Sequence, residues 1–179
     1  MISELSLKDF YPEATTKPEQ PETNSNLAEL EKQFDATLYN YNIQPKIRNR
    51  QLREIEKQIV ELLPLKVGQI FYDSWGYDQT QNDFLEIVEV SPSNKTVMVQ
   101  MIGSSEIDDW TVKPNPQYRY GTPFRLHVKY FSHKPLIVGQ YPYCDAKDCM
   151  TDRGCWRMGR FWPYEDKKGV YETPSYAGH

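Results

Sequence analysis

Between positions 73 and 83 the chain gathers Asp73, Trp75, Tyr77, Asp78, Gln79, Thr80, Asn82 and Asp83. Such a dense polar and aromatic run between two apolar stretches is where a rigid scaffold presents binding or catalytic groups. Asp78 and Asp83 are two nearby carboxylates, able to share acid and base roles or to hold a divalent cation. Asp, Asn, Thr and Gly are also the residues that satisfy the backbone of a bend through Asx-type turns. On that reading Trp75 and Tyr77 pack beneath the turn; as a presented site, the binding candidates are Asp78, Gln79, Thr80 and Asp83 first, with Trp75 and Tyr77 beside them.

Cys144, Cys149 and Cys155 follow at intervals of five and six. With His127, His133 or His179 they could complete a tetrahedral zinc site. No CxxC pair is present to chelate an ion from one tight turn, so partly buried free thiols are the plainer reading. A Cys/His nucleophile pair has no local signature around any of the three. No cofactor is expected: a phosphate-cradling Gly-rich loop, a Gly-x-Ser-x-Gly elbow, a His-Glu-x-x-His pair and a dinucleotide fingerprint are all missing from the sequence.

Basic residues form two clusters, Lys46, Arg48, Arg50 and Arg53, and then Arg153, Arg157 and Arg160 beside Trp156, Phe161 and Trp162. Cations next to aromatic faces are the ingredients of single-strand nucleic-acid binding. A solvated helix face and an arginine stacked on a neighbouring aromatic ring explain the same clusters without a ligand. The net charge of -4 argues against a surface built around broad phosphate neutralisation.

These groups must be held by a modest scaffold. The 179 residues suffice for one core and a tail. Three cysteines cannot all pair, and no basic start leads into an apolar run, so a reduced, cytoplasmic setting is expected. No apolar stretch reaches the ~20 residues of a membrane span. Residues 1–25, with Pro12, Pro18 and Pro21, read as a mobile tail. Residues 26–64 read as a helical pair. Asn26 is placed to cap a helix bearing Leu27, Leu30, Phe34, Leu38 and Tyr41, and Leu52, Ile55 and Ile59 mark a second over about 46–63.

From residue 65 to 179 the period shortens. Runs at 69–72, 83–90, 96–102 and 124–130, with weaker ones at 136–138, 156–161 and 170–172, predict short antiparallel strands. Ser91-Pro92-Ser93-Asn94-Lys95 is a hairpin loop by its chemistry, and residues 103–122 read as an excursion with Pro114, Pro116 and Gly121. The predicted class is α+β, a small antiparallel SH3-like barrel or bent sheet after two helices.

The stretch from Lys66 to Val88, with Trp75-Gly76-Tyr77-Asp78-Gln79-Thr80 at its centre, resembles a family of small uncharacterised proteins carried by bacteriophages, plasmids and other bacterial mobile elements. The segments Phe161-Trp162-Pro163-Tyr164-Glu165-Asp166 and Tyr171 to His179 resemble that family's C-terminus more loosely. Family members carry a serine- and tyrosine-rich strand before the terminal tryptophan, whereas this chain has Cys155-Trp156-Arg157-Met158-Gly159-Arg160. The resemblance implies an accessory protein that binds a host protein or a nucleoprotein complex, for instance to inhibit a host defence or replication machine. Two alternatives stand beside it. One is a nucleic-acid-binding module using Arg153, Arg157, Arg160 and Trp162, or Arg48 and Arg50. The other is an enzyme acting on nucleic acid through Asp78 and Asp83 with His133 or His179 as proton carrier.

Overall fold

The computed structural model describes residues 21–142, 156–165, 168–174 and 176–177. Helix α1 spans Pro21–Leu38 and α2 spans Pro45–Leu62. The first helix starts earlier than the sequence suggests, so Asn26 sits inside it rather than capping it. Proline is the reason: its fixed φ and missing N–H suit a first helical turn, so Pro21 opens a helix rather than closing a tail. Pro45 plays the same part in α2. The rest of the predicted tail, residues 1–20, lies outside the described residues. No helix of the described chain is long and apolar enough to cross a membrane.

The strands are β1 Ile70–Trp75, β2 Gln81–Val90, β3 Thr96–Asp108, β4 Thr111–Phe131, β5 Lys134–Pro142, β6 Trp156–Pro163 and β7 Val170–Tyr171. Hydrogen bonding runs β3-β2-β1-β6-β5-β4, and a further β3–β4 ladder closes the ring. The result is a six-stranded antiparallel barrel, with β7 added to the start of β4. The α+β class and the closed barrel agree with the sequence reading.

Residues 103–122 are not an excursion. They are the far half of the β3–β4 hairpin, paired from Gly103↔Asn115 to Asp108↔Thr111. Pro114 and Pro116 are tolerated because β4 pairs with β5 only from His127 onward, leaving the prolines on a strand edge that needs no amide donor. Register shifts between Val99 and Met101 and between Ile102 and Gly103 bend the ladder there.

Alternation fills the barrel. Phe71, Leu85, Ile87, Val97, Val99, Met101, Leu126, Ile137 and Phe161 are all at or below 1% exposure, and Ile59, Val60 and Leu63 of the α2 end complete the same core. Phe84, Ile102 and Val112 form a smaller cluster with Tyr72 and Tyr164 against them. On α1, Phe34 meets the edge of Tyr130 at 5.4 Å, and the Tyr130 hydroxyl donates to Glu31 at 3.0 Å.

The β2–β3 hairpin fastens the second helix. Asn94 takes the left-handed conformation with φ 55°. Its Nδ2 donates to the carbonyl oxygens of Glu61 at 3.1 Å and Leu63 at 2.8 Å, orphans left at the helix end. Asn94→Ala removes both bonds and strains the turn, and is expected to cost about 1–3 kcal/mol in urea unfolding. Asn94→Gly keeps the backbone conformation and loses less. Equal midpoints for wild type and Asn94→Ala would mean that this bridge does not hold the helix.

Candidate functional site

Four strand ends meet at one rim of the barrel: the end of β1, the start of β2, the end of β5 and the start of β6. Asp73 and Asp83 are direct partners in the β1–β2 ladder. The carboxylate pair is therefore Asp73 with Asp83, and not Asp78 with Asp83 as the spacing suggested. Alternation along β2 decides this, because it turns Asp83 toward the neighbouring strands while Asp78 stays in the exposed loop.

Asp83 is the centre of a compact network. The Tyr141 hydroxyl donates to its Oδ2 at 2.7 Å, and the Arg157 guanidinium donates to the same oxygen and to the Tyr141 hydroxyl. The Arg157 guanidinium also lies 3.6 Å from the centroid of the Trp75 ring. Arg157 therefore stacks on an aromatic ring from another strand, β1. Side-chain exposures of 22% for Arg157 and 12% for Asp83 leave little room for a phosphate at this guanidinium. Burial raises the Asp83 carboxyl, against the opposing pull of Tyr141, Arg157 and Trp75. Asp73 is raised to about 6, chiefly by burial, although the Arg160 backbone N–H donates to it at 3.3 Å.

The loop from Gly76 to Thr80 rises from this network. Gly76 has φ +120°, and a Cβ there would lie 1.6 Å from the Gln79 carbonyl oxygen, so the turn requires glycine. The turn throws Tyr77 outward to 100% exposure, which corrects the expectation that it packs underneath. Trp75 is 38% exposed, half committed to Arg157 and half to solvent. Asp78 and Gln79 are exposed beside Tyr77. Thr80 is held through its backbone, and Asn82 through both its backbone and its side chain. The Thr80 N–H donates to Thr173 Oγ1 at 2.8 Å and the Thr173 N–H returns a bond to the Thr80 carbonyl at 2.8 Å. Asn82 Nδ2 donates to the Tyr171 carbonyl at 2.8 Å, and its backbone N–H donates to Glu172 at 3.1 Å.

The other predicted residues are dispersed. Arg160 is exposed on β6, and Trp162 is half-buried with its ring at 5.7 Å from Phe131. Arg48 lies 5.3 Å from the Tyr41 ring centre, and Arg50 is exposed on α2. His133 contacts the Tyr130 hydroxyl at 3.0 Å and Asp35 at 3.4 Å, on the α1 side and apart from Asp83. Arg153, Cys144, Cys149, Cys155 and His179 lie outside the described residues. Among the described residues no group of three His, Cys, Asp or Glu side chains is placed to hold a metal ion.

Tyr141, Glu172 and Thr173 are members of this rim that sequence reasoning missed. Tyr141 carries no motif, and nothing in the chain announces that residues near 172 return to residue 80. Comparison with protein-family models, with curated proteins and with solved structures returned no match. The fold and rim define a closed β-barrel that presents a braced aromatic loop.

The raised Asp73 carboxyl has a directional consequence. Folded Asp73 titrates near 6 and unfolded aspartate at 3.8, so the folded chain holds the extra proton in between. Its contribution is complete below that window, declines through it and is lost above about 6. Asp73→Asn mimics the protonated state and keeps an acceptor for the Arg160 N–H. Its melting temperature should match wild type near the acid end of the window and exceed it increasingly toward neutral pH. A difference that stays constant with pH would refute the assignment.

Proposed function

We propose that this chain is a non-enzymatic binding protein whose docking element is the Trp75-Gly76-Tyr77-Asp78-Gln79 loop. The observation that carries this reading is the full exposure of Tyr77 at the tip of a loop fastened at both roots. A tyrosine so placed offers a large amphipathic anchor, and fastened roots reduce the ordering entropy that docking costs. Asp78 and Gln79 supply hydrogen-bonding groups around it.

Binding is favoured over catalysis by the engagement of Asp83. The carboxylate that an acid and base mechanism would need is occupied by Tyr141 and Arg157, and Asp78 is its neighbour in sequence only. The resemblance to mobile-element proteins points to a host protein, alone or in a nucleoprotein complex, as the partner.

Affinity capture with the full chain tests the proposal. Tyr77→Ala should lose the captured partner, with a cost of about 2 kcal/mol or more, roughly thirtyfold in Kd. Its melting temperature should not change, because the side chain touches solvent only. Capture of the same partner with equal affinity by Tyr77→Ala would sink the proposal.

A further inference from the structure

A second concave surface lies at the other end of the molecule, where α2 crosses the barrel. Arg53, Lys57, Lys95, His127 and Lys129 line a groove of about 530 Å³, with Glu56 as its acidic member. Val60 and Val128, both 4% exposed, form part of its floor. The groove continues onto α2, where Lys46, Arg50, Arg53 and Lys57 are all exposed at helical spacing. This segregation is pronounced in a chain whose acidic residues outnumber its basic ones, 25 to 21.

Helix stability does not account for the stripe. Lys46 falls in the first turn of α2, which holds no acidic residue, so its charge opposes the helix dipole. Nor do internal ion pairs consume the cations. Lys57 pairs with Glu54 at 2.8 Å and Lys95 with Glu61 at 2.7 Å, all four side chains being about half exposed or more. Exposed pairs of this kind contribute only ~0–1 kcal/mol and exchange readily for a better anion. Glu56 is committed elsewhere, accepting the Tyr130 N–H at 3.4 Å and lying 4.0 Å from Lys129. The Arg53 and His127 side chains make no ion pair or hydrogen bond among the described residues.

We infer that this groove and the α2 stripe bind the phosphodiester backbone of a nucleic acid, with Arg53, Lys57, Lys95 and Lys129 contacting phosphates. The linear run of cations fits an extended polyanion, and phosphates are matched by guanidinium and ammonium donors. The site is separate from the Tyr77 loop and uses none of the arginines beside Trp156 and Trp162.

Fluorescence anisotropy of a labelled oligothymidylate with the full chain tests it, across a salt series. Wild type should bind with an affinity that falls as salt rises. The double variant Arg53→Glu, Lys57→Glu should bind at least about tenfold more weakly, and its salt slope should be shallower by about 1.4, at about 0.7 per lost phosphate contact. Lys95→Glu, on the barrel side, should weaken binding independently, which guards against a helix defect in the double variant. Tyr77→Ala should bind the oligonucleotide like wild type, so failure of the docking loop and failure of the groove read out separately. A salt-insensitive or undetectable wild-type signal, or unaltered binding by both charge variants, overturns the inference. Full displacement of the oligonucleotide by an equal phosphate concentration of AMP or inorganic phosphate overturns the polymer assignment in favour of a small phosphorylated ligand.

Discussion

Arg157 braces the seam between β1 and β6. Where β1 meets β6 the ladder holds just two residue pairs, Phe71↔Pro163 and Tyr72↔Trp162, while the β1–β2 ladder beside it runs for six. Beyond Tyr72 the seam is bridged by side chains. Arg157 of β6 reaches Asp83 of β2 and the ring of Trp75 on β1, and Asp73 of β1 accepts the Arg160 N–H of β6. A guanidinium with only 22% of its side chain exposed needs its donors engaged, and here a carboxylate, a phenol oxygen and a π-face engage it. Removing the Asp83 carboxylate takes away the counter-charge of Arg157 at the seam, and loss of one member of a buried pair costs ~3–5 kcal/mol. The network is thus both the brace of this seam and the root of the exposed loop.

The far root is held by the C-terminal segment. Tyr171 stacks on Trp110 at 5.9 Å, the Glu172 N–H donates to the Trp110 carbonyl at 2.9 Å, and Thr173 exchanges two bonds with Thr80. Residues more than ninety positions apart therefore fix each other, so the tip of the β3–β4 hairpin, the C-terminal segment and the Tyr77 loop form one unit. A loop with both roots fixed and its tip in solvent is preorganised without being buried.

Local signals carried the sequence reading wherever they were strong. The helices are legible in Leu52, Ile55 and Ile59, and β4 in the alternation from Phe124 to Tyr130, because one buried face imposes its period on the chain. The hairpin from 103 to 122 was hidden by Pro114 and Pro116, which signal a loop unless the strand is known to lie on an edge. Asp83 was singled out in the sequence, but its partners stand 58 and 74 positions away, and no local pattern can say which of many arginines will arrive. Tyr77 was misjudged because an aromatic side chain is normally worth burying, whereas the Gly76 turn points it away from any surface it could cover. The basic groove was half visible. Arg50 and Arg53 stood out in the sequence, but Lys95, His127 and Lys129 join them only once β3 and β4 pair.

That pairing also orders the charges of the whole molecule. Thr96↔His127 stands at one end of the β3–β4 ladder and Asp108↔Thr111 at the other, so the thirteen residues of β3 separate them by about 40 Å along the strand. The groove cations gather at the first end. Glu106, Asp108, Asp109 and Glu172 line a shared hollow at the second, close to the segment that fastens the Tyr77 loop. Net charge is a sum and reports none of this; the field that a partner meets is local. A polyanion approaching such a molecule is drawn to the α2 end and repelled from the other. A nucleic acid bound in the groove as proposed would lie at the end of the barrel opposite the Tyr77 loop. The two proposed surfaces therefore do not overlap, and one does not block the other.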